Sequence, residues 1–492
     1  MGQRAPAAAI FALLAFALVF QGSRGLWDPD EGRYVHTAAR MVETGDWWTP
    51  RLHPDVPHFT KPPLTYWTIA ASISLFGRNE WAIRLPNALA WCGTVVLVFF
   101  LARRLAPKRE WLAASIQATA LLPFAALNIV TTDTLLAFCE TVAVAGFVRA
   151  RWDPDGARDG PLWMWVGFGL AFLTKGPPGL LPLAAILAFA LSTEGLRGLA
   201  RLKSLAGMAL FLLLAFSWYL AQVVARPDLL GYLLGQEVVG RVASTSFNRN
   251  ADLAGIFRVY GPVVLAGCLP WAPWAVARWV RRRRRGEVAG PTALETRLLR
   301  WWLLLPLAVF VLSKSRLQLY LVPLATPAVL LIARSLPEDA LVPARRRRWL
   351  ALWIALLIAL KGFAASYPTS RDGRRLAAEL SRLLPYSPRE LVVVQRKPPY
   401  TLGFYLRAET EAVDLAAAKA AAPSSPYLET RKTLAVKLDE NRPESSYLVP
   451  KAHEPAFVDR LRALGWTAAR IGSVGDLQVY AAPRPLPPAA AD

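Results

Sequence analysis

Cysteine is scarce in this sequence, with Cys92, Cys139 and Cys268 the three examples in 492 residues. All three fall inside apolar blocks and none forms a CxxC pair, so neither a disulfide framework nor a thiolate metal site is indicated. Acidic residues are also few, 35 against 57 Lys and Arg, for a formal net charge of +22. Such an excess can mark a nucleic-acid binder. Here the basic residues gather at the ends of apolar blocks rather than along one soluble face, so no nucleic-acid partner is expected. No glycine-rich phosphate loop is seen and no DxD pair lies in a soluble domain, which disfavours nucleotide-sugar use. No internal repeat of a few tens of residues is visible, as a solenoid or a duplicated transporter would show.

Long apolar runs are what the chain does have. It is 54% hydrophobic with 19 Trp and 39 Pro, a composition that argues against a single compact soluble domain. A bilayer core takes about 20 mostly apolar residues per helix. Blocks near that length run from Ala7 to Phe20, Leu85 to Leu101, Trp111 to Leu127, Leu135 to Val148, Leu162 to Thr174 and Gly179 to Leu191. Others run from Leu205 to Val223, Ile256 to Val280, Leu299 to Leu312, Gln318 to Ile332 and Trp349 to Ala365, eleven spans in all. The first could be a cleaved signal peptide, but no small-x-small site precedes Gly25, and it is taken as an anchor. Arg103, Arg104, Lys108 and Arg109 follow the second span; Arg149, Arg151 and Arg158 the fourth; Arg197, Arg201 and Lys203 the sixth; Arg281 to Arg285 the eighth. Arg345 to Arg348 precede the eleventh. With these loops inside, the positive-inside rule is met at all five, and the C-terminus lies outside.

The expected fold is therefore an all-α polytopic membrane body, residues 1–366, with a small C-terminal α/β domain, residues 367–482, and a disordered Pro/Ala-rich tail, residues 483–492. The first outside loop, residues 21–84, carries two candidate interfacial helices, Glu31 to Thr44 with Asp30 as N-cap and Leu64 to Phe76 after Pro62 and Pro63. Trp47, Trp48, Tyr66, Trp67 and Trp81 suit the headgroup level. A second outside loop, about Ala225 to Gly255, carries Gln236, Glu237, Arg241, Asn248 and Asn250. Beyond Ser366, strands are expected at Leu391–Gln395, Tyr400–Leu406, Lys432–Leu438 and Ser446–Val449, and a helix at Glu454–Leu464.

With the topology set by loop charge alone, the ionisable residues at outside span ends converge on one face. They are Asp30, Glu31, Arg33 and Lys61 in the first loop, Asp133, Lys175, Glu237 and Arg241, and Lys314 with Arg316. Charge at membrane depth is costly and usually lines a cavity or meets a partner. Single members have plainer readings: a Lys or Arg at a span end as a snorkelling anchor, Asp30 and Asp133 as helix caps. The prolines after Lys61 and the Gly-Pro-Pro after Lys175 favour ligand placement, because they fix the lysine at a rigid turn.

Three motifs carry a resemblance: Asp30-Glu31-Gly32-Arg33-Tyr34, Glu43-Thr44-Gly45-Asp46-Trp47 and Lys61-Pro62-Pro63-Leu64-Thr65-Tyr66-Trp67. Together they resemble the bacterial aminoarabinose (4-amino-4-deoxy-L-arabinose) transferase family, within the dolichyl-phosphate-mannose protein mannosyltransferase-like group. Weaker matches continue through Asn79 to Pro86, Asp133, Leu173 to Pro177 and Ser313-Lys314 with Tyr320 and Pro323, covering most of residues 20–335. The resemblance implies a GT-C fold in the bacterial inner membrane, an active site on the periplasmic side, and an undecaprenyl-phosphate-linked sugar as donor. It implies Asp30 as the carboxylate nearest the reaction, Asp133 as a second one, and Lys61 as a ligand of the carrier phosphate. Arg33, Tyr34, Lys175, Arg241 and Tyr320 match cavity-lining positions. Asp30 as base and Asp30 as electrostatic stabiliser of the sugar are both open.

Two departures stand out. The family's metal-ligand pair, Glu before Lys-Pro-Pro and His after the second-loop Glu, is Thr60 and Val238 here. Neither can replace carboxylate or imidazole on zinc, so no metal is expected there, and the acceptor (lipid A-like, glycan or protein) is not inherited with the motifs. His36, His53 and His58 are nearby alternatives, though a lone interfacial His is usually solvent-facing. A lipid or glycan transporter or flippase would need charge near the midplane, and a non-catalytic scaffold would not explain two aspartates and three lysines on one side. Loop charge makes one direct prediction: a reporter fused at Asp492 reads as periplasmic, and one inserted between Arg281 and Arg285 as cytoplasmic.

Overall fold

The computed structural model describes residues 4–200, 202–235, 249–285, 293–415, 427, 432–440 and 442–486. The chain divides into two compact units. One comprises Met1–Gln21, Thr60–Thr68 and Arg84–Ala364; the other comprises Gly22–Phe59, Ile69–Ile83 and Ala365–Asp492.

Every apolar block of the first unit is helical. Among the described residues five helices are long and apolar enough to cross a membrane: Glu80–Leu105, Pro177–Glu194, Leu205–Ala225, Gln318–Ser335 and Ala344–Ser366. Two further segments reach that length only as bent pairs, which corrects the reading of them as continuous spans. Glu110–Thr119 and Leu121–Leu127 meet at 58°, and Leu253–Ala266 and Trp271–Arg284 at 80°. Proline is the cause in each case. Pro123 has no N–H to return to the carbonyl of Thr119, which accepts from the Trp353 indole instead (2.8 Å). Pro270 likewise offers nothing to Ala266, four residues back.

Helix Thr132–Trp152 packs against Gly160–Lys175 at very close range. A Cβ on Gly146 would fall on the backbone of Met164 and Gly160, and one on Gly167 on the backbone of Ala143. Small residues allow this approach in an apolar medium, where packing rather than the hydrophobic effect joins helices. Val144, Phe147, Phe168, Phe189 and Trp302 fill the adjoining core. Lys361, buried within Ala344–Ser366, donates to the carbonyls of Ala17 (2.8 Å) and Phe16 (3.3 Å). Its charge thereby meets the negative end of helix Arg4–Leu18.

In the second unit a hairpin, β1 (Arg51–His53) and β2 (Val56–Pro57), precedes a six-stranded mixed sheet. The sheet is formed by β3 (Glu390–Val394), β4 (Glu409–Asp414), β5 (Lys432–Thr433), β6 (Ser445–Pro450), β8 (Arg470–Val474) and β9 (Leu477–Ala481), in the order β5-β4-β3-β6-β9-β8. Strands β5, β4, β3 and β6 run parallel, and β9 is antiparallel to both of its neighbours, β6 and β8. Residues of β3 alternate between two cores: Leu391 and Val393 pack with Leu380 and Leu402, Val392 and Val394 with Leu438 and Phe457. That alternation requires helices on both faces, and Gly373–Leu383 and Glu454–Ala463 are among those that supply them.

Three expectations are corrected here. Tyr400–Leu406 is a helix, not a strand; its first five residues are buried, which erases periodicity, and Pro399 favours a helix start. Lys432–Leu438 is a strand for two residues only, after which Thr433 accepts from Val436 N and caps helix Leu434–Asp439. Within the supposed tail, β10 (Arg484–Pro485) pairs with β7 (Trp466–Thr467).

The glycine seam gives a stability prediction. Gly146→Ala improves helix propensity but forces the two helices apart, and lowers stability by about 1 to 3 kcal/mol, as overpacking does. Thermal unfolding in detergent measures it; a midpoint equal to or above wild type removes the seam argument.

Candidate active site

Within the membrane-spanning unit, Asp133, Lys175 and Tyr320 come together. Thr131 caps helix Thr132–Trp152, its hydroxyl accepting from Asp133 N at 3.3 Å. The cap reading of Asp133 is thereby excluded, and its carboxylate is left to bond the Lys175 ammonium. Both side chains are only 7% exposed. The same ammonium stands 4.3 Å from the centroid of the Tyr320 ring. Lys175 ends its helix at Gly176, whose φ of 72° and ψ of −143° suit glycine, and Pro177 follows, so the turn fixes the lysine. Cation, carboxylate and ring quadrupole thus satisfy one another where water is scarce.

Glu140 adds a carboxylate that the sequence reading passed over. Seven residues beyond Asp133 it lies on the same helix face, about 10 Å further along, buried and close enough to act electrostatically on both Asp133 and Lys175. A charged residue mid-block was the available signal. Lys314 is exposed and Lys61 half-buried. Arg316 is buried but spends its guanidinium on the carbonyls of Val311, Asn250 and Asp252 (2.9, 2.6 and 3.1 Å). Glu237, Val238 and Arg241 lie outside the described residues.

In the second unit, helix Asp30–Thr44 begins one residue earlier than expected. Pro29 occupies the cap position and no side chain caps the helix, which corrects the reading of Asp30 as N-cap. The Asp30 carboxylate is instead 57% exposed, with Arg33 at 3.4 Å. Glu31 is buried and structural in its contacts: Arg24 holds it at 2.9 Å and Trp27 N donates at 2.9 Å. Tyr34 is half-buried. His36 is wholly buried rather than solvent-facing, with Nε2 3.1 Å from Leu52 O; burial pushes its pKa down to about 3 and keeps it neutral.

Asp28 is the second residue that the sequence reading missed. Burial pushes its carboxyl up to about 7, although Thr401 donates to it from both N and hydroxyl. Gly32 is needed beside it, because a Cβ there would fall on the Asp28 carboxyl and on Thr401 N.

Two groups of described residues have the spacing of metal ligands, His53 with Glu390 and Glu409, and Glu390 with Glu411 and Glu440. The second already holds a cation: the Lys437 ammonium lies 2.6 Å from a carboxylate oxygen of each.

The helical body, the described cluster at a helix end and the appended sheet define an integral membrane protein of GT-C fold. Residues 60–220 match the family model described as dolichyl-phosphate-mannose-protein mannosyltransferase. The chain is similar to an undecaprenyl phosphate-alpha-4-amino-4-deoxy-L-arabinose arabinosyl transferase of Pectobacterium carotovorum subsp. carotovorum, 31% identical over 70% of this chain and 61% of that one. It resembles the enzyme of the same description from Pseudomonas aeruginosa at 31% over 67% and 59%. The chain thus spans about three fifths of the length of these relatives. Its fold matches that of ArnT from Cupriavidus metallidurans bound to undecaprenyl phosphate, with a TM-score of 0.77 over 98% of both chains at 21% identity. A weaker likeness, TM-score 0.54 and 14% identity, links it to the mycobacterial arabinofuranosyltransferase AftD, over 98% of this chain and 40% of that one. The chain is thus similar to the aminoarabinose transferases and, over residues 60–220, to the dolichyl-phosphate-mannose-protein mannosyltransferase family, and it is an integral inner-membrane protein.

Asp28 makes stability depend on pH. Its folded pKa, about 7, lies above the ordinary 3.8, so between those values the unfolded chain releases a proton that the folded chain keeps. Stability therefore falls as pH rises from about 4 to about 7. Asp28→Asn, which mimics the protonated form, flattens that slope; unfolding midpoints of both proteins across the window decide it.

Proposed function

We propose that this protein is a polyprenyl-phosphate-sugar-dependent glycosyltransferase, moving a sugar from an undecaprenyl-phosphate-type carrier to an envelope acceptor (lipid A-like, glycan or protein) on the periplasmic side of the inner membrane. About eleven spans, the outside placement of the domain after Ser366 and the inverting outcome belong to this reading. The observation that carries it is the buried Lys175–Asp133 pair set against Tyr320 in a chain related to undecaprenyl-phosphate transferases.

The chemistry follows from the leaving group. As the C1–O bond to the carrier phosphate breaks, negative charge grows on the phosphate oxygens, and cations already in place stabilise it without reorganisation. Lys61 is assigned to the phosphate, with Arg33, Lys175, Lys314 and Arg241 as further cations of the substrate-binding set; Tyr34, Tyr320 and Glu237 belong to the same set, whereas Glu31, held by Arg24 and Trp27 N, serves it by fixing the helix start that carries Asp30 and Arg33. Asp30 and Asp133 are the acting carboxylates. An acceptor hydroxyl needs one of them as base within hydrogen-bond reach; an acceptor phosphate is ionised already and needs none. The exposed Asp30 carboxylate, freed from capping, supports its assignment to the reaction. Thr60 and Val238 replace the family's metal ligands, so turnover is proposed to need no metal there.

Asp30→Asn and Lys61→Ala divide the work. Asp30→Asn changes little volume and removes the charge required in the transition state, so single-turnover rate falls with carrier affinity nearly unchanged. Lys61→Ala weakens carrier binding as well as rate, by the roughly 1.5 to 3 kcal/mol of a hydrogen bond to a charged group. Both are measured on purified protein with a polyprenyl-phosphate sugar, with and without chelator. Wild-type turnover in both variants returns the residues to plainer roles, and a chelator loss reversed by one metal ion refutes the metal-free assignment.

A further inference from the structure

A cavity of about 440 Å³ opens in the membrane-spanning unit away from Asp133 and Lys175, lined by Trp271 and Trp274 of helix Trp271–Arg284 and by Trp349, Leu352, Trp353 and Leu356 of helix Ala344–Ser366. Its aromatic wall is fixed from behind. The indole N–H of Trp271 donates to Thr119 Oγ1 at 3.0 Å and that of Trp353 to Thr119 O at 2.8 Å, the carbonyl that Pro123 leaves vacant. Both polar handles are thus satisfied outside the cavity, and the ring faces are left to line it. Trp271 and Trp274 stack at 28° with centroids 6.3 Å apart. Trp349, Leu352 and Leu356 are 63%, 61% and 48% exposed, so the opening is on the apolar flank of a spanning helix.

The rim has one charge in it and more beside it. Arg346 belongs to the lining, its guanidinium 5.0 Å from the Trp274 ring and its Nη1 3.4 Å from Ala340 O. Arg345, Arg347 and Arg348 flank it, all exposed. Among the described residues these four arginines form no ion pair with a carboxylate; Glu338 is engaged with Lys108 (3.7 Å) and Arg109 (3.6 Å), and Glu295 with Arg104 (3.1 Å). The interior thus suits hydrocarbon and the rim suits an anion. A water-borne ligand would find almost no polar partner inside. A lipid with an acyl chain against the tryptophans and a phosphate at Arg346 satisfies both ends.

We propose that this cavity binds an anionic glycerophospholipid of the surrounding bilayer. A polyprenyl phosphate has a similar make-up, but the rim carries the arginine run that loop charge places inside, whereas the proposed reaction takes the carrier at the opposite face. The occupant is therefore a bilayer lipid, held between helix Trp271–Arg284 and the spanning helix Ala344–Ser366.

Native mass spectrometry of the full chain, titrated with phosphatidylglycerol or with phosphatidylcholine of the same acyl chains, tests this. Wild type is expected to retain phosphatidylglycerol about ten-fold better, because both lipids offer a phosphate to Arg346 but only phosphatidylcholine brings a cation against the arginine rim. Arg346→Gln, at an exposed position, brings the two lipids level. Leu352→Trp fills the cavity and lowers retention of phosphatidylglycerol, while Leu360→Trp, exposed on the same helix beyond the lining, leaves it unchanged. Equal retention of the two lipids by wild type, which needs no variant, overturns the proposal. So does unchanged preference in Arg346→Gln, or displacement of phosphatidylglycerol by undecaprenyl phosphate at equal concentration.

Discussion

The Lys175 ammonium, bonded to Asp133 and lying on the Tyr320 ring, is the interaction on which the arrangement of the helical body turns. An ion removed from water loses several kcal/mol of solvation, and only close, well-oriented partners return it. Three elements are therefore tied to one point: the start of Thr132–Trp152, the end of Gly160–Lys175, and the Gln318–Leu324 turn that carries Tyr320. The glycine seam makes this geometry reachable, since side chains at Gly146 and Gly167 would hold the first two helices apart. Glu140, buried on the same helix face, adds a second carboxylate to the described cluster.

The same rule operates in the second unit with different partners. Lys437 is 1% exposed and surrounded by Glu390, Glu411 and Glu440, while Lys432 bonds the other oxygens of Glu411 and Glu440 and Arg442 shares Glu390 Oε1 with Lys437. Such a network stabilises little against an apolar substitute, yet removing one member leaves a buried charge exposed to no compensation. Arg24 and Glu31 repeat it at the start of the Asp30–Thr44 helix, where Arg24 also lies 4.1 Å over Trp27. The Asp-Glu-Gly-Arg-Tyr motif thus divides into an inward carboxylate that holds the helix start and an outward one, Asp30, that is left accessible.

Proline shapes the membrane-spanning unit by removing donors rather than by adding contacts. At Pro123 the missing N–H breaks a span and releases a carbonyl, which a tryptophan from a distant helix takes up. The break and the anchored Trp353 indole both follow from that single absent hydrogen-bond donor.

The sequence by itself determined the class of this protein, because apolar length and the placement of basic residues respond only to the bilayer. It determined the helix start after Pro62 and Pro63, at Leu64, and the strands β3 and β6, since local chemistry decides these. It named Asp133, Lys175 and Tyr320 through motif resemblance, without showing that they touch. Tertiary structure alone decided the rest. Tyr400–Leu406 reads as a strand until both faces are buried, and burial is a property of neighbours. Asp28, His36 and Glu140 look like ordinary polar residues in sequence. Desolvation sets the charge of Asp28 and His36 and burial leaves Glu140 dry, and in each case the cause is packing by segments far away in the chain.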